Sequence, residues 1–314
     1  MHNLTDLSLT TALERFLNLY WLRPETAGLL TLRTDALRGV TISPNAVDTS
    51  CGDGIFLFIA LGGEIEDTFD VFEGTAQASK ARAGVDVFDG FSDTYNPKIT
   101  KTPRISFELG IDFKENSLQR AEKLNVYKKL LNTDLTKPLT LESEAFDTVT
   151  NFGSLNHYPS VEGFLLEAHR VLKKKGQLIV TLHSENLIRF YKELEKDFSP
   201  SWLSLIERNM RGIWPIMHSA SGWQRVFENA GFTLLDVKPI AGTRYARMWN
   251  IGLRPIASEL LQFREIAKKH EPEKLLQIKK SWCGFFKEAL LPLLTHGNNP
   301  EDSAEILFVL EKQG

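Results

Sequence analysis

The segment Asp48-Thr49-Ser50-Cys51-Gly52-Asp53-Gly54 gathers acids, glycines, a hydroxyl and a thiol into one short stretch. Glycines at 52 and 54 let a backbone turn tightly and approach a ligand with no side chain between them. A helix that follows can place its first N–H groups on a negatively charged group. Further along, Asp112 closes the run Gly110-Ile111 and precedes Phe113. A carboxylate at such a strand end can accept both hydroxyls of a ribose; its ordinary role is a helix cap. Asp134 and Leu135 follow the apolar Leu130-Leu131, and Asn151 follows Phe146 to Thr150. His157, in Asn156-His157-Tyr158, titrates in the range that suits base catalysis near neutrality, with capping or packing as its other reading. His183 and His218 are further candidates. Cys51 reads as a small residue lining the turn in preference to a nucleophile. The chain holds no His-x-x-x-His or Cys-x-x-Cys pair, so no metal site is expected.

These residues need a scaffold, and the apolar pattern supplies one. Residues 8 to 38 read as two helices, with Leu13, Phe16, Leu17, Tyr20 and Trp21 at helical spacing and Pro24 opening the second. Ala46 to Asp48 is a strand end, and Ile55 to Leu61 begins a helix. Strands are then predicted at Phe107 to Ile111, Val126 to Leu131, Phe146 to Thr150 and Leu178 to Leu182. Helices are predicted at Asn116 to Leu124 and Val161 to Leu172, the latter ended by Lys173-Lys174-Lys175-Gly176. Trp223 to Ala230 and Thr233 to Val237 add another helix-strand unit, and Ile306 to Leu310 is a late strand. This alternation implies an α/β fold, a doubly wound and mostly parallel sheet covered on both faces.

Composition narrows the function. The 314 residues are 42% hydrophobic and 25% charged, with a net charge of -3. That balance gives no positive field for nucleic acid. Two cysteines, Cys51 and Cys283, exclude a disulfide framework and suit a reducing compartment. The first residues lack a signal-peptide pattern, and no apolar run reaches the ~18 residues of a membrane span. A cytoplasmic protein is expected.

Val47 to Gly54 resembles the first motif of the class I S-adenosylmethionine-dependent methyltransferases, of the small-molecule, methyltransferase type 11-like kind. That motif runs hydrophobic-Asp-x-Gly-x-Gly-x-Gly, and the chain departs from it at Ser50. Four later segments resemble the family in the same order, ending with Phe164 to Leu178. The resemblance implies a Rossmann-like, seven-stranded sheet, with a helical N-terminal segment and a helical insertion before the last strand. It implies S-adenosyl-L-methionine as cofactor and S-adenosyl-L-homocysteine as product. Asp48, Ser50, Cys51, Gly52, Asp53 and Gly54 would line the cofactor, Asp112 would bind its ribose, and Phe113 would pack on the adenine. Asp134, beside Leu135, would receive the adenine amino group, and Asn151 would lie beneath the methionine portion. His157 is the candidate catalytic residue. Methyl transfer is a direct displacement, in which most of the catalysis comes from holding the nucleophile in line. The expected activity is methylation of a small or medium-sized metabolite. The alternative is a catalytically degenerate relative that binds cofactor or a partner. A dinucleotide site is disfavoured, because Gly52-Asp53-Gly54-Ile55-Phe56-Leu57 lacks the third glycine of G-x-G-x-x-G.

The expected methyltransferase core is 41–242 with 298–314, preceded by the helical segment 1–40. Asp48 and Asp112 stand 64 positions apart, against ~20 in a compact sheet. The surplus, 63–104, carries Asp70, Glu73, Asp86, Asp89 and Asp93 among Phe69, Phe72, Phe88, Phe91 and Tyr95. It reads as a lid-like insertion, either a substrate cover or a solvated loop. The second insertion, 243–297, reads as a helical cap or homodimer face, with an interfacial helix for a lipid-linked substrate as the other reading. Arg244, Arg247 and Arg254 near its start could hold an anionic group.

Overall fold

The predicted alternation is realised as a seven-stranded sheet in a computed structural model of the chain, which describes residues 1–73, 92, 94–201, 203, 214–253 and 256–314. Two helices come first, α1 (Leu9–Leu19) and α2 (Pro24–Ala36). Ser8 caps α1 by accepting from the Thr11 N–H, and proline occupies the first turn of α2. The first sheet strand, β1 (Ala46–Thr49), leads through the glycine turn into α3 (Ile55–Ala60). Then follow β2 (Phe107–Asp112), α4 (Glu115–Glu122), β3 (Tyr127–Asn132), β4 (Phe146–Phe152) and α5 (Glu162–Val171). The chain continues through β5 (Leu172–His183), α6 (Glu185–Leu194), α7 (Ala220–Asn229) and β6 (Phe232–Ala241). Helices α8 (Thr243–Ile251), α9 (Ala257–His270) and α10 (Pro272–Leu290) precede the final β7 (Glu305–Lys312).

The strand order is β6-β7-β5-β4-β1-β2-β3, with β7 antiparallel to both neighbours. β1 pairs in parallel with β2 on one side and β4 on the other. The order therefore reverses at β1, and the carboxyl ends of β1 and β4 flank the crevice where ligands bind in such sheets. β5 starts earlier than the sequence suggests, because the strand runs through the lysine cluster. The helix does end at Val171, but Lys175 turns with φ 61° and the ladder to β4 shifts register there.

Side chains alternate between two cores. Ala46, Ile179, Leu307 and Val309 face α1, α2 and α3, whereas Val47, Val180, Ile306 and Phe308 face α5 and α7. The first core also takes in Phe69 and Tyr95 from the lid-like insertion and Tyr245, Leu261 and Leu290 from the helical one. Three segments far apart in sequence thus form one helical layer. Buried charges knit it together: Asp70 accepts from Trp21 Nε1 at 3.0 Å and from Arg264 Nε at 3.1 Å, and Arg264 reaches Glu73 at 2.8 Å. Lys279 Nζ donates to the carbonyls of Asp67 and Phe69, each at 2.6 Å. Helices α9 and α10 therefore turn these cations inward and leave Phe263, Ile266, Ile278 and Phe285 exposed. In the lid-like insertion, Asp86, Asp89, Asp93, Phe88 and Phe91 lie outside the described residues, as does Arg254 in the helical one.

Candidate functional site

The glycine turn alternates left-handed and ordinary backbone: φ is 60° at Ser50, 57° at Gly52 and 74° at Gly54. Its shape is fixed from both ends. The Cys51 N–H donates to the Ile111 carbonyl at 2.9 Å, and the Gly54 N–H donates back to the Cys51 carbonyl at 3.1 Å. Asp53, just before the glycine that begins α3, accepts from the Ile55 N–H at 3.1 Å. A Cβ at Gly54 would meet the Tyr127 ring at 3.2 Å and Val126 at 3.3 Å, so this glycine sets how closely the turn packs on β3. A Cβ at Gly52 would meet nothing within 4 Å; that glycine borders open space.

Asp48 lies under the turn, 3% exposed. Tyr127 OH donates to its Oδ2 at 2.6 Å and Thr150 Oγ1 to its Oδ1 at 2.8 Å. Burial pushes its carboxyl up to about 7 against the opposing effect of those two bonds. Both oxygens are thus engaged by β4 and β3, and Asp48 braces the sheet beneath the loop. Burial also raises the Cys51 thiol, with Asp48 and Asp112 adding to the effect. A protonated thiol is a poor nucleophile, which favours the lining role. Asp53 is raised as well, chiefly by burial.

Asp112 ends β2 directly beside the turn. Its Oδ2 accepts from the Gly52 N–H and its Oδ1 from the Lys114 N–H, each at 2.9 Å. A carboxylate has about four acceptor sites, so two N–H donors leave room for two more. Next to it, Phe113 is 67% exposed. Asp134 is exposed and closes a local turn, accepting from Thr136 N at 2.9 Å and Thr136 Oγ1 at 2.7 Å. Those bonds hold its carboxyl below the usual range. Leu135, the next residue, is buried.

Asn151 joins the ends of β1 and β4. Its Nδ2 donates to the Thr49 carbonyl at 3.0 Å, and its Oδ1 accepts from Ser154 Oγ at 2.8 Å. The short turn Leu155–His157 follows. His157 is exposed, with its ring 6.4 Å from that of Trp214. Tyr158 reaches back to the glycine turn, its OH 2.7 Å from Ser50 Oγ. Tyr158 carries no sequence signal of its own beside His157, and only the fold brings it to the turn.

His183 is buried at the end of β5 between Trp214 and Trp249, with ring centroids at 5.1 and 5.6 Å. Its Nδ1 lies 3.7 Å from Glu305 Oε2. Asn156 fixes its backbone, accepting from His183 N at 2.8 Å and donating to His183 O at 3.0 Å. Arg33 of α2 forms a bidentate ion pair with Glu305 and lies over Gly153, where a Cβ would stand 2.6 Å from the guanidinium. Nothing local in the sequence pointed to Arg33, since the pairing spans most of the chain. His218 instead packs edge-on against Trp223. Arg247 pairs with Glu193 of α6. Among the described residues there is no His/Cys/Asp/Glu group that could hold a metal, and no helix is long and apolar enough to cross a membrane.

The family model for a methyltransferase domain matches residues 98–180, which run from just before β2 into β5 and leave out the glycine turn. Most of the 63–104 insertion lies between that turn and the matched part. A demethylmenaquinone methyltransferase of Alkalihalophilus pseudofirmus is 26% identical over 147 residues, covering 42% of this chain and 62% of that protein. The chain thus matches less than two thirds of that relative's length. The solved structure of an S-adenosylmethionine-dependent methyltransferase from Thermotoga maritima superposes with a TM-score of 0.51 at 16% identity, covering 96% of this chain and 98% of the other.

Proposed function

We propose that this chain, which carries a methyltransferase domain on the class I S-adenosylmethionine-dependent methyltransferase fold, methylates a small or medium-sized metabolite by direct displacement. The observation that carries the reading is the joint between the Gly52 N–H and Asp112 Oδ2 at the reversal of the sheet. It fixes a glycine that borders open space beside a carboxylate with acceptor capacity to spare. These are the features a nucleoside with a sulfonium amino-acid tail requires, so the residues present fit the cofactor.

S-adenosylmethionine supplies an electrophilic methyl on a positively charged sulfur. Asp112 would hold the ribose hydroxyls through the acceptor sites its two N–H donors leave open. Phe113, already exposed, would pack on the adenine, and Asp134 beside Leu135 would receive its amino group. Gly52 keeps the turn bare so that the backbone can approach, while Asp48 and Asn151 brace the floor from below. His157, exposed beyond β4, is the candidate to take a proton from a hydroxyl acceptor; an amine acceptor needs only its lone pair.

The other reading, cofactor binding without turnover, stems from Ser50 in place of the family's first glycine. Ser50 nonetheless adopts the left-handed conformation that the turn requires, which favours a working site. Calorimetry with S-adenosylmethionine, S-adenosylhomocysteine and NAD tests the reading. Binding of the two sulfur nucleosides and not of NAD is expected; binding of NAD alone would refute it. Methylation of an extract fraction with labelled S-adenosylmethionine then separates the active enzyme from a silent binder.

A further inference from the structure

Helices α1 and α10 leave a cavity of about 220 Å³ between them, where the lid-like insertion begins. Leu17 of α1, Asp67 of the insertion, and Lys279, Cys283 and Gly284 of α10 line it, and none of them belongs to the crevice beside the glycine turn. Lys279 is the unusual member. It is 4% exposed, and its ammonium gives two of three N–H bonds to the carbonyls of Asp67 and Phe69, each at 2.6 Å. Among the described residues it meets no carboxylate at ion-pair distance. Asp70, the buried acid that acts on it through space, is committed to Arg264 and Trp21. A buried charge without a counter-ion is costly. Burial lowers the Lys279 pKa accordingly.

The rest of the lining shows what would relieve that cost. Lys280 and Lys287 also border the cavity, together with Glu14. Lys287 pairs with Glu14, which leaves Lys279 and Lys280 against Asp67, one positive charge in excess. Gly284 keeps the mouth open. It lies inside α10, where glycine weakens a helix relative to alanine. A Cβ there would meet nothing within 4 Å, so packing does not demand the glycine. We propose that this cavity is a site for a small carboxylate with an apolar tail. The carboxylate supplies the missing counter-ion of Lys279, with Lys280 at the rim, and the tail lies against Leu17 and Cys283. The volume is below the roughly 300 Å³ at which pockets for drug-sized ligands begin, which suits a short chain or a single ring. Because the same ammonium holds the carbonyls of Asp67 and Phe69, an occupied cavity steadies the start of the insertion. The site stands independently of the methyltransferase reading.

Titration calorimetry on the full chain tests it with benzoate, against benzamide, which lacks the charge, and acetate, which lacks the ring. Benzoate should bind saturably and at least tenfold more tightly than either. Gly284→Leu puts a side chain in the mouth and favours the helix, so it should abolish benzoate binding without lowering the unfolding midpoint. Lys279→Met should weaken benzoate roughly 10- to 100-fold, as for a lost bond to a charged group, and leave benzamide unchanged. Gly284→Leu carries the test alone if Lys279→Met does not fold. No saturable benzoate binding to wild type, equal affinity for benzamide or acetate, or undiminished benzoate affinity in Gly284→Leu would overturn the site.

Discussion

The Gly52 N–H donates to Asp112 Oδ2 at 2.9 Å, tying the turn after β1 to the end of β2, 60 positions along the chain. The insertion between them can therefore be long without loosening the site. Asp112→Ala removes a buried acceptor and leaves the part-buried Gly52 and Lys114 N–H groups without it. Calorimetry should show S-adenosylhomocysteine affinity reduced at least tenfold, with about 1–3 kcal/mol lost from stability. Affinity retained at the wild-type level would refute the assignment of Asp112 to the ribose.

Asp48 should make stability depend on pH in an unusual direction. Its carboxyl is pushed by burial from 3.8 up to about 7, so the folded chain holds the proton more tightly than the unfolded one. Its contribution is fully present below about pH 3.8 and is lost as pH rises through about 7. Asp48→Asn cannot ionise and escapes that loss. The variant's unfolding free energy relative to wild type should rise by about 1.4 kcal/mol per pH unit inside this window. Denaturant titrations at several pH values measure it, and parallel pH profiles for the two proteins would contradict it.

The sequence made the sheet legible because alternation survives in a parallel core. Val47 and Ala46 point to opposite layers, and β2, β3 and β5 end in polar residues, Asp112, Asn132 and His183. The positions of Asp112 and Gly54 follow from the strand ends. The joining of the N-terminal helices with the two insertions could not be read, because it depends on pairs such as Asp70–Arg264 and Arg33–Glu305 that share no local signal. The apolar stripe of α9 and α10 divides: Leu261 and Leu290 face the core together with Arg264 and Lys279, whereas Phe263 and Phe285 face outward. Periodicity shows that a helix has two faces; here buried acids of a distant loop decide which one faces in.

Arg264 should prove structural. It is 6% exposed and shared between Asp70 and Glu73, which anchor the start of the lid-like insertion. Replacing one partner of a buried pair leaves the others uncompensated, at about 3–5 kcal/mol. Arg264→Met is therefore expected to lower the unfolding midpoint strongly and to open 67–73 to proteolysis. Adding Asp70→Asn in the same chain should recover part of the loss, since it removes an orphaned charge. A double variant no more stable than the single would show that the pair is not coupled.

Gly52 and Gly54 should separate folding from binding. Both have positive φ, so alanine at either costs on the order of 1 kcal/mol in backbone strain. At Gly54 the added Cβ also presses on Tyr127 and Val126 at 3.2 and 3.3 Å, in the packing between the turn and β3. At Gly52 it points into open space. Gly54→Ala is expected to lose about 2–4 kcal/mol of stability, strain and overpacking together. Gly52→Ala should fold with only the strain cost yet bind S-adenosylhomocysteine at least tenfold more weakly, because the methyl occupies the approach left clear for the ligand. Melting curves and calorimetry on the two variants decide it: a Gly52→Ala protein with unchanged affinity would move the cofactor away from this turn.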